Sequence, residues 1–104
     1  MVAPGDNLDI YESEPFKSRV QGNPDLAGEI VHFLKSWPTA GRELCPGTRL
    51  ACLGVAGLEY GVFYHRKRNK IGLMYIFSLP KESKAMKERE KSVLTEVGKG
   101  GNHV

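Results

Sequence analysis

The spacing of apolar residues changes along the chain from a helical period to a period of two and back again. In "NPDLAGEIVHFLKSWP", residues 23–38, Leu26, Ile30, Phe33, Leu34 and Trp37 fall at i, i+4, i+7, i+8 and i+11, one stripe along an α-helix. Asn23 is placed to cap that helix, Pro24 suits its first turn, and Asp25 and Glu29 lie toward the positive end of its dipole. Pro38 and Gly41 predict its end. Upstream, "NLDIYES" alternates Leu8 and Ile10 with polar neighbours and predicts an edge strand. "EPFKSRVQG" between the two predicts a short additional helix.

Beyond Gly41 the period is two. "TRLACLGV" predicts a strand, followed by a glycine-containing turn at "AGLE". "EYGVFYH" sets Tyr60, Val62 and Tyr64 against Gly61, Phe63 and His65. "KIGLMYIFSLP" sets Ile71, Leu73, Tyr75, Phe77 and Leu79 on one face, with Met74 and Ile76 on the other. Apolar residues on both faces predict a central strand with a helix over at least one side. "RKRN" joins these two strands as an antiparallel hairpin, with Asn69 suited to a left-handed backbone. After Pro80 the helical period returns in "KESKAMKEREKSVLTEVGKG". Ser83 is its cap, Met86, Val93, Leu94 and Val97 share a face, and Gly98 is a natural stop.

This order predicts an α+β fold: an N-terminal strand, a helix or helical hairpin, a three-stranded antiparallel meander and a C-terminal helix. The 104 residues fit one domain, expected over residues 1–97, with a flexible tail at 98–104 that includes "GKGG" and His103. No stretch approaches the roughly 18–20 apolar residues of a membrane span. "MVAPGDNLDIYESEP" lacks a basic region followed by an apolar run, so a cytoplasmic location without membrane contact is expected. Cys45 and Cys52 are then expected to stay reduced, inert and partly buried. The nearest histidines, His32 and His65, are each thirteen residues from a cysteine, which is no metal-ligand spacing.

Charge sharpens the picture. Residues 1–60 carry five Lys/Arg against eight Asp/Glu, a net −3, whereas residues 61–104 carry ten against four, a net +6. Such asymmetry predicts an electropositive region and a polyanionic or acidic partner. Its densest part is "HRKRNK", where His65, Arg66, Lys67, Arg68 and Lys70 can meet phosphates, although a hairpin tip must be polar in any case. His65 can exchange a proton there, while His32 reads as a packing or surface residue. Tyr60, Tyr64 and Tyr75 can stack on bases, or can pack under a helix with their hydroxyls at its rim. The chain has no phosphate-binding glycine loop, no serine elbow and no paired-carboxylate motif.

Three stretches, "FLKSWPTAGRELCPGTRLACL", "YGVFYHRKRNKIGLMYIFSLPKES" and "MKEREKSVLTEV", together resemble the RelE/ParE superfamily of small bacterial toxins, in the style of its HigB-like and phage-derived members. The shared features are a helix ending in a Pro and Gly phrase, a "PGT" turn into a strand, a Tyr-led strand, an apolar strand ending in Lys, and a terminal helix. The likeness spans roughly residues 8–97. It implies a compact α+β fold with a basic concave sheet face, an antitoxin partner, and cleavage of ribosome-bound mRNA without a metal or other cofactor. In that chemistry a 2′-hydroxyl attacks the adjacent phosphorus and the 5′-oxygen leaves, so it needs a base, an acid and cations.

By the resemblance, Lys81 matches the lysine closing the last strand, and Arg49 remains of the basic strand after the "PGT" turn. His65 joins Lys81 and Arg49 as a catalytic candidate on local chemistry. Arg66, Lys67, Arg68, Lys70, Lys84 and Tyr64 are the RNA-binding candidates. Gly61 stands where the family's Tyr-Arg strand carries its arginine. That departure leaves open a catalytically degenerate protein that binds its antitoxin or a target enzyme such as gyrase. A small RNA-binding domain that uses the hairpin and its tyrosines is the third reading.

Overall fold

A computed structural model describes the backbone of residues 8–102 and the side chains of residues 8–95. Its elements are β1 (Asp9–Glu12), α1 (Glu14–Val20), α2 (Pro24–Ser36), β2 (Arg42–Cys45), β3 (Thr48–Val55), β4 (Leu58–Lys67), β5 (Lys70–Leu79) and α3 (Ser83–Asn102). The strands form one mixed sheet in the order β1-β5-β4-β3-β2. β1 runs parallel to β5, and every other pair is antiparallel.

Local signals explain most boundaries. Asn23 Oδ1 accepts from the Leu26 N–H and caps α2, and Ser13 Oγ accepts from the Phe16 N–H and caps α1. The same Ser13 hydroxyl donates to the Met74 carbonyl at 2.5 Å, tying the start of α1 to β5. Ala56 and Gly57 both take positive φ, 52° and 81°, in the two-residue turn between β3 and β4. That backbone matches the twist of the strands it joins. In the β4–β5 turn the residue with positive φ is Arg68, at 58°, in place of the expected Asn69.

The α+β class is as expected, but the sheet is larger than a three-stranded meander. "RELC" adds β2 at the edge, and β1 completes the sheet on the other side. A four-residue strand with two charged residues gives almost no period-two signal. Its glycine-flanked turns form it instead, with Gly41 at φ 88° and Gly47 at φ 85°. At the other terminus α3 continues through Gly98 to Asn102, across much of the expected tail. A glycine costs a helix about 1 kcal/mol but ends it only when it adopts the left-handed cap. The side chain of Val97, and His103 altogether, lie outside the described residues.

Helices cover both sheet faces. On one, Phe16 and Val20 of α1 and Leu26, Ile30 and Leu34 of α2 pack over Ala51, Tyr60, Val62, Tyr64, Ile71, Leu73 and Ile76. On the other, Val93 and Met86 of α3 pack over Leu50, Phe63, Tyr75 and Phe77. Each large side chain fully buried this way stabilises the fold by about 1.5–3 kcal/mol. The stripe on α2 stops short of its predicted end, because Trp37 is the C-cap and is 65% exposed.

The strict alternation expected for β5 fails at one point. Phe63 pairs with Tyr75 but Tyr64 pairs with Leu73, so Met74 is an extra residue, a β-bulge. Ile71 and Leu73 face α1 and α2, but beyond the bulge Tyr75 and Phe77 face α3 and Ile76 takes their place. One inserted residue therefore flips the rest of the strand.

Candidate nucleic-acid interface

Pairing register puts the basic candidates at one end of the sheet. Lys67 pairs with Lys70, Arg66 with Ile71, His65 with Gly72 and Tyr64 with Leu73, while Thr48 and Arg49 of β3 pair with His65 and Tyr64. Alternation then divides them between faces. His65 and Lys67 share the α3 side of the sheet with Phe63. Arg49 and Arg66 share the α1/α2 side with Tyr64.

Tyr64, a candidate RNA contact, is fully buried, and its hydroxyl donates to the Ala40 carbonyl at 2.5 Å. Neither face of the ring is open to a base, so it holds the α2–β2 connection against the sheet instead. Burial pushes its hydroxyl pKa upward, against the opposing pull of Arg49 and Arg66. Tyr60 is buried in the same core. Arg89 sits over the Tyr75 ring, 4.3 Å from its centroid. Of the tyrosines expected to meet bases, none therefore presents an open ring.

The cations around this end are available. Arg49 donates to the Gly41 carbonyl at 3.0 Å, and Arg66 Nε donates to the Arg68 carbonyl at 3.3 Å. Among the described residues the ion pairs are Lys17–Glu14, Arg19–Glu82 and Arg42–Glu90, and none engages Arg49, Arg66, Lys67, Arg68 or Lys70. A shallow hollow of about 360 Å³ opens among Lys67, Arg68, Asn69 and Lys70. His65 is exposed, with Nδ1 2.8 Å from the Oγ1 of buried Thr48. Gly47 lies against this ring, since a Cβ there would approach His65 Cε1 to 2.8 Å. Composition gives no hint of the Thr48–His65 contact. The strand register creates it across 17 residues of sequence.

Lys81 belongs to the other end. Leu79 is six residues beyond Leu73, the partner of Tyr64, and seven beyond Gly72, the partner of His65. At about 3.3 Å per residue, Lys81 lies roughly 20 Å from Arg49 and His65. Lys84, in the first turn of α3, stays with Lys81. The three catalytic candidates thus do not converge, and Arg49 and His65 lie on opposite faces. Beside Lys81, Glu82 pairs with Arg19 and accepts from the Ser78 N–H at 2.8 Å. Arg19, and then the Ser78 N–H, hold the Glu82 carboxyl below its ordinary 4.5.

Gly61 faces α3, opposite Cys52. A Cβ at Gly61 would run into the Met86 thioether, so this flexible α3 side chain would have to swing aside for an arginine there. Cys45 and Cys52 are both free thiols, Cys45 half-buried as expected and Cys52 exposed instead, on the stretch of β3 where the burial alternates. Among the described residues no three His, Cys, Asp or Glu side chains cluster closely enough to hold a metal ion. No helix among them is long and apolar enough to cross a membrane.

This geometry defines an α+β domain with a mixed five-stranded sheet, helices on both faces and a basic hairpin end. The chain matches no protein-family model and no curated sequence.

Proposed function

We propose that the chain is a RelE/ParE-like toxin of a type II toxin–antitoxin pair that acts in the cytoplasm on RNA at the ribosome. The observation that carries this reading is the cluster of Arg49, Arg66, Lys67, Arg68 and Lys70 without carboxylate partners beside a histidine held by Thr48. Five cations at one end of a small domain outnumber their cross-strand acidic neighbours, Asp9 and Glu43, and favour phosphates through counterion release. The quoted motifs and the order strand, two helices, antiparallel strands, helix support the family.

Cleavage would follow from His65. When its Nδ1–H donates to Thr48 Oγ1, Nε2 holds a lone pair and can take the proton of an attacking 2′-hydroxyl. A bond then forms from the 2′-oxygen to phosphorus, the bond to the 5′-oxygen breaks, and that oxygen takes up a proton from water. Lys67 and Lys70 would offset the charge on the phosphorane. An antitoxin with an acidic or amphipathic helix would cover the same cations.

A second reading is binding without cleavage, on the same scaffold, to RNA or to a protein target. Two observations favour it: Met86 fills the space over Gly61, and Lys81 is far from Arg49 and His65. Induction of the chain in a bacterial host, with mRNA integrity followed beside His65→Ala and Lys81→Ala, separates the readings. Growth arrest with mRNA cuts, relieved by His65→Ala and not by Lys81→Ala, is the expected result. Arrest with intact mRNA favours the binder. Normal growth, with no RNA bound by the purified chain, rejects the toxin reading.

A further inference from the structure

The α3-side face of the sheet is left open next to the basic hairpin. One cross-strand row there runs Tyr11 on β1, Gly72 on β5, His65 on β4 and Thr48 on β3. Ile10 packs with the α1/α2 core, so alternation turns Tyr11 to the opposite side, where it is 55% exposed at the rim of the sheet. Gly72 lies on an interior strand, where glycine weakens the sheet and commonly marks a close approach by a ligand or another backbone. Nothing in the described protein explains it by crowding. A Cβ at Gly72 would meet just the His65 carbonyl oxygen, at 4.0 Å.

The dimensions suit a planar ring. With strands about 4.8 Å apart, Tyr11 and His65 stand roughly 10 Å from each other across Gly72. Stacked or tilted aromatic pairs have centroids about 4.5–7 Å apart, so one ring fits between the two. The next row toward the tip holds Lys67 and Lys70, about 7 Å further along the strands. Asp9 stands beside Lys70 in that row and offsets part of its charge, so Lys67 is the stronger phosphate contact of the two.

We propose that Tyr11, Gly72 and His65 form a subsite for one unstacked base of single-stranded RNA, with Lys67 and Lys70 receiving its phosphate. The base lies on the bare floor at Gly72 and stacks against Tyr11, a mode that every base can use. This rests on the RNA-directed function above, and adds that the target must be single-stranded where it meets the sheet.

The test is fluorescence anisotropy with a labelled hexauridine and, in parallel, a short blunt RNA duplex. Tyr11→Ala and Gly72→Val should each weaken hexauridine binding about 5- to 150-fold, the range expected for one base stack. Neither should change duplex binding, and Tyr11→Phe should bind within about twofold of the parent. Gly72→Val is the decisive variant. The position has ordinary backbone geometry and open space, so valine fits the strand while filling the floor. Circular dichroism of each variant confirms that the fold is kept. Parent-like hexauridine binding by both Tyr11→Ala and Gly72→Val, with Lys67→Ala weakening both RNAs alike, overturns the subsite and leaves phosphate contact alone. Failure of the parent chain to bind either RNA overturns the RNA-directed function itself.

Discussion

The two ends of the sheet are built from similar residues to opposite effect. At the Pro80 end, Arg19 meets Glu82, whose carboxylate also accepts from the Ser78 N–H, and a cation and an anion are spent on holding α1 to the start of α3. At the hairpin end Arg49, Arg66, Lys67, Arg68 and Lys70 have no carboxylate within ion-pair distance among the described residues. Arg19 is therefore held by a carboxylate at one end, while the arginines and lysines of the other end have none within ion-pair distance among the described residues. The difference teaches that a cation's role here depends on its neighbours across the sheet, not on its residue type. Lys81, the family's strand-end lysine by resemblance, falls at the Pro80 end.

The largest effect expected from breaking this contrast is on RNA binding. Reversing three tip charges together, Arg66→Glu, Lys67→Glu and Arg68→Glu, should lower affinity for single-stranded RNA more than about 100-fold. The slope of log K against log salt should also shrink by about 2, since each phosphate contact contributes roughly 0.7. The thermal midpoint should move little, because Lys67 and Arg68 are exposed and the one hydrogen bond from Arg66 is to the neighbouring Arg68 carbonyl. An unchanged salt slope would show that the tip does not meet phosphate.

A smaller effect is expected where α3 crosses the sheet. Gly61→Arg should destabilise the domain by about 1–3 kcal/mol through overpacking against Met86. In urea denaturation a Met86→Ala background should absorb part of that loss, with a coupling of about 0.5 kcal/mol or more. Strict additivity of the two substitutions would mean that Met86 does not sit over Gly61.

The smallest effect is at the Arg19–Glu82 pair. Glu82→Gln should cost about 0.5–1 kcal/mol at pH 7, a modest figure because solvent screens a partly exposed pair. The folded carboxyl lies below its ordinary 4.5, so its contribution is present above that value and is lost as pH falls through the folded value. Parent and variant melting curves should differ at pH 7 and converge under acid. A constant difference down to pH 2 would assign the effect to packing and not to charge.

Much of the fold was legible because local signals and burial agree. β3 spans "TRLACLGV" as the alternation predicts, and Asn23 caps α2 through a contact three residues away. Legibility failed where a single distant contact decides. β2 is too short and polar to show a period. The bulge at Met74 interrupts a run that reads as continuous, and puts Tyr75 and Phe77 under α3 while Ile71 and Leu73 face α2. Tyr64 reads as an aromatic beside a basic cluster, yet its ring closes the core and its hydroxyl binds Ala40. The candidate site was legible in its charges but not in its partners: Thr48 reaches His65, and Tyr11 and Gly72 join the same row, through register alone.

By itself the sequence determined the elements other than β2, the α+β class and the concentration of positive charge in residues 61–104, because periodicity, caps and composition act over a few residues. Tertiary structure decided the rest. It set β1 beside β5 and α3 over Gly61, sent Lys81 to one end and His65 to the other, and turned Arg49 and His65 to opposite faces. The physical reason is that a strand places each residue by two numbers, its register and its face. A one-residue bulge or shift changes both without leaving a mark on composition.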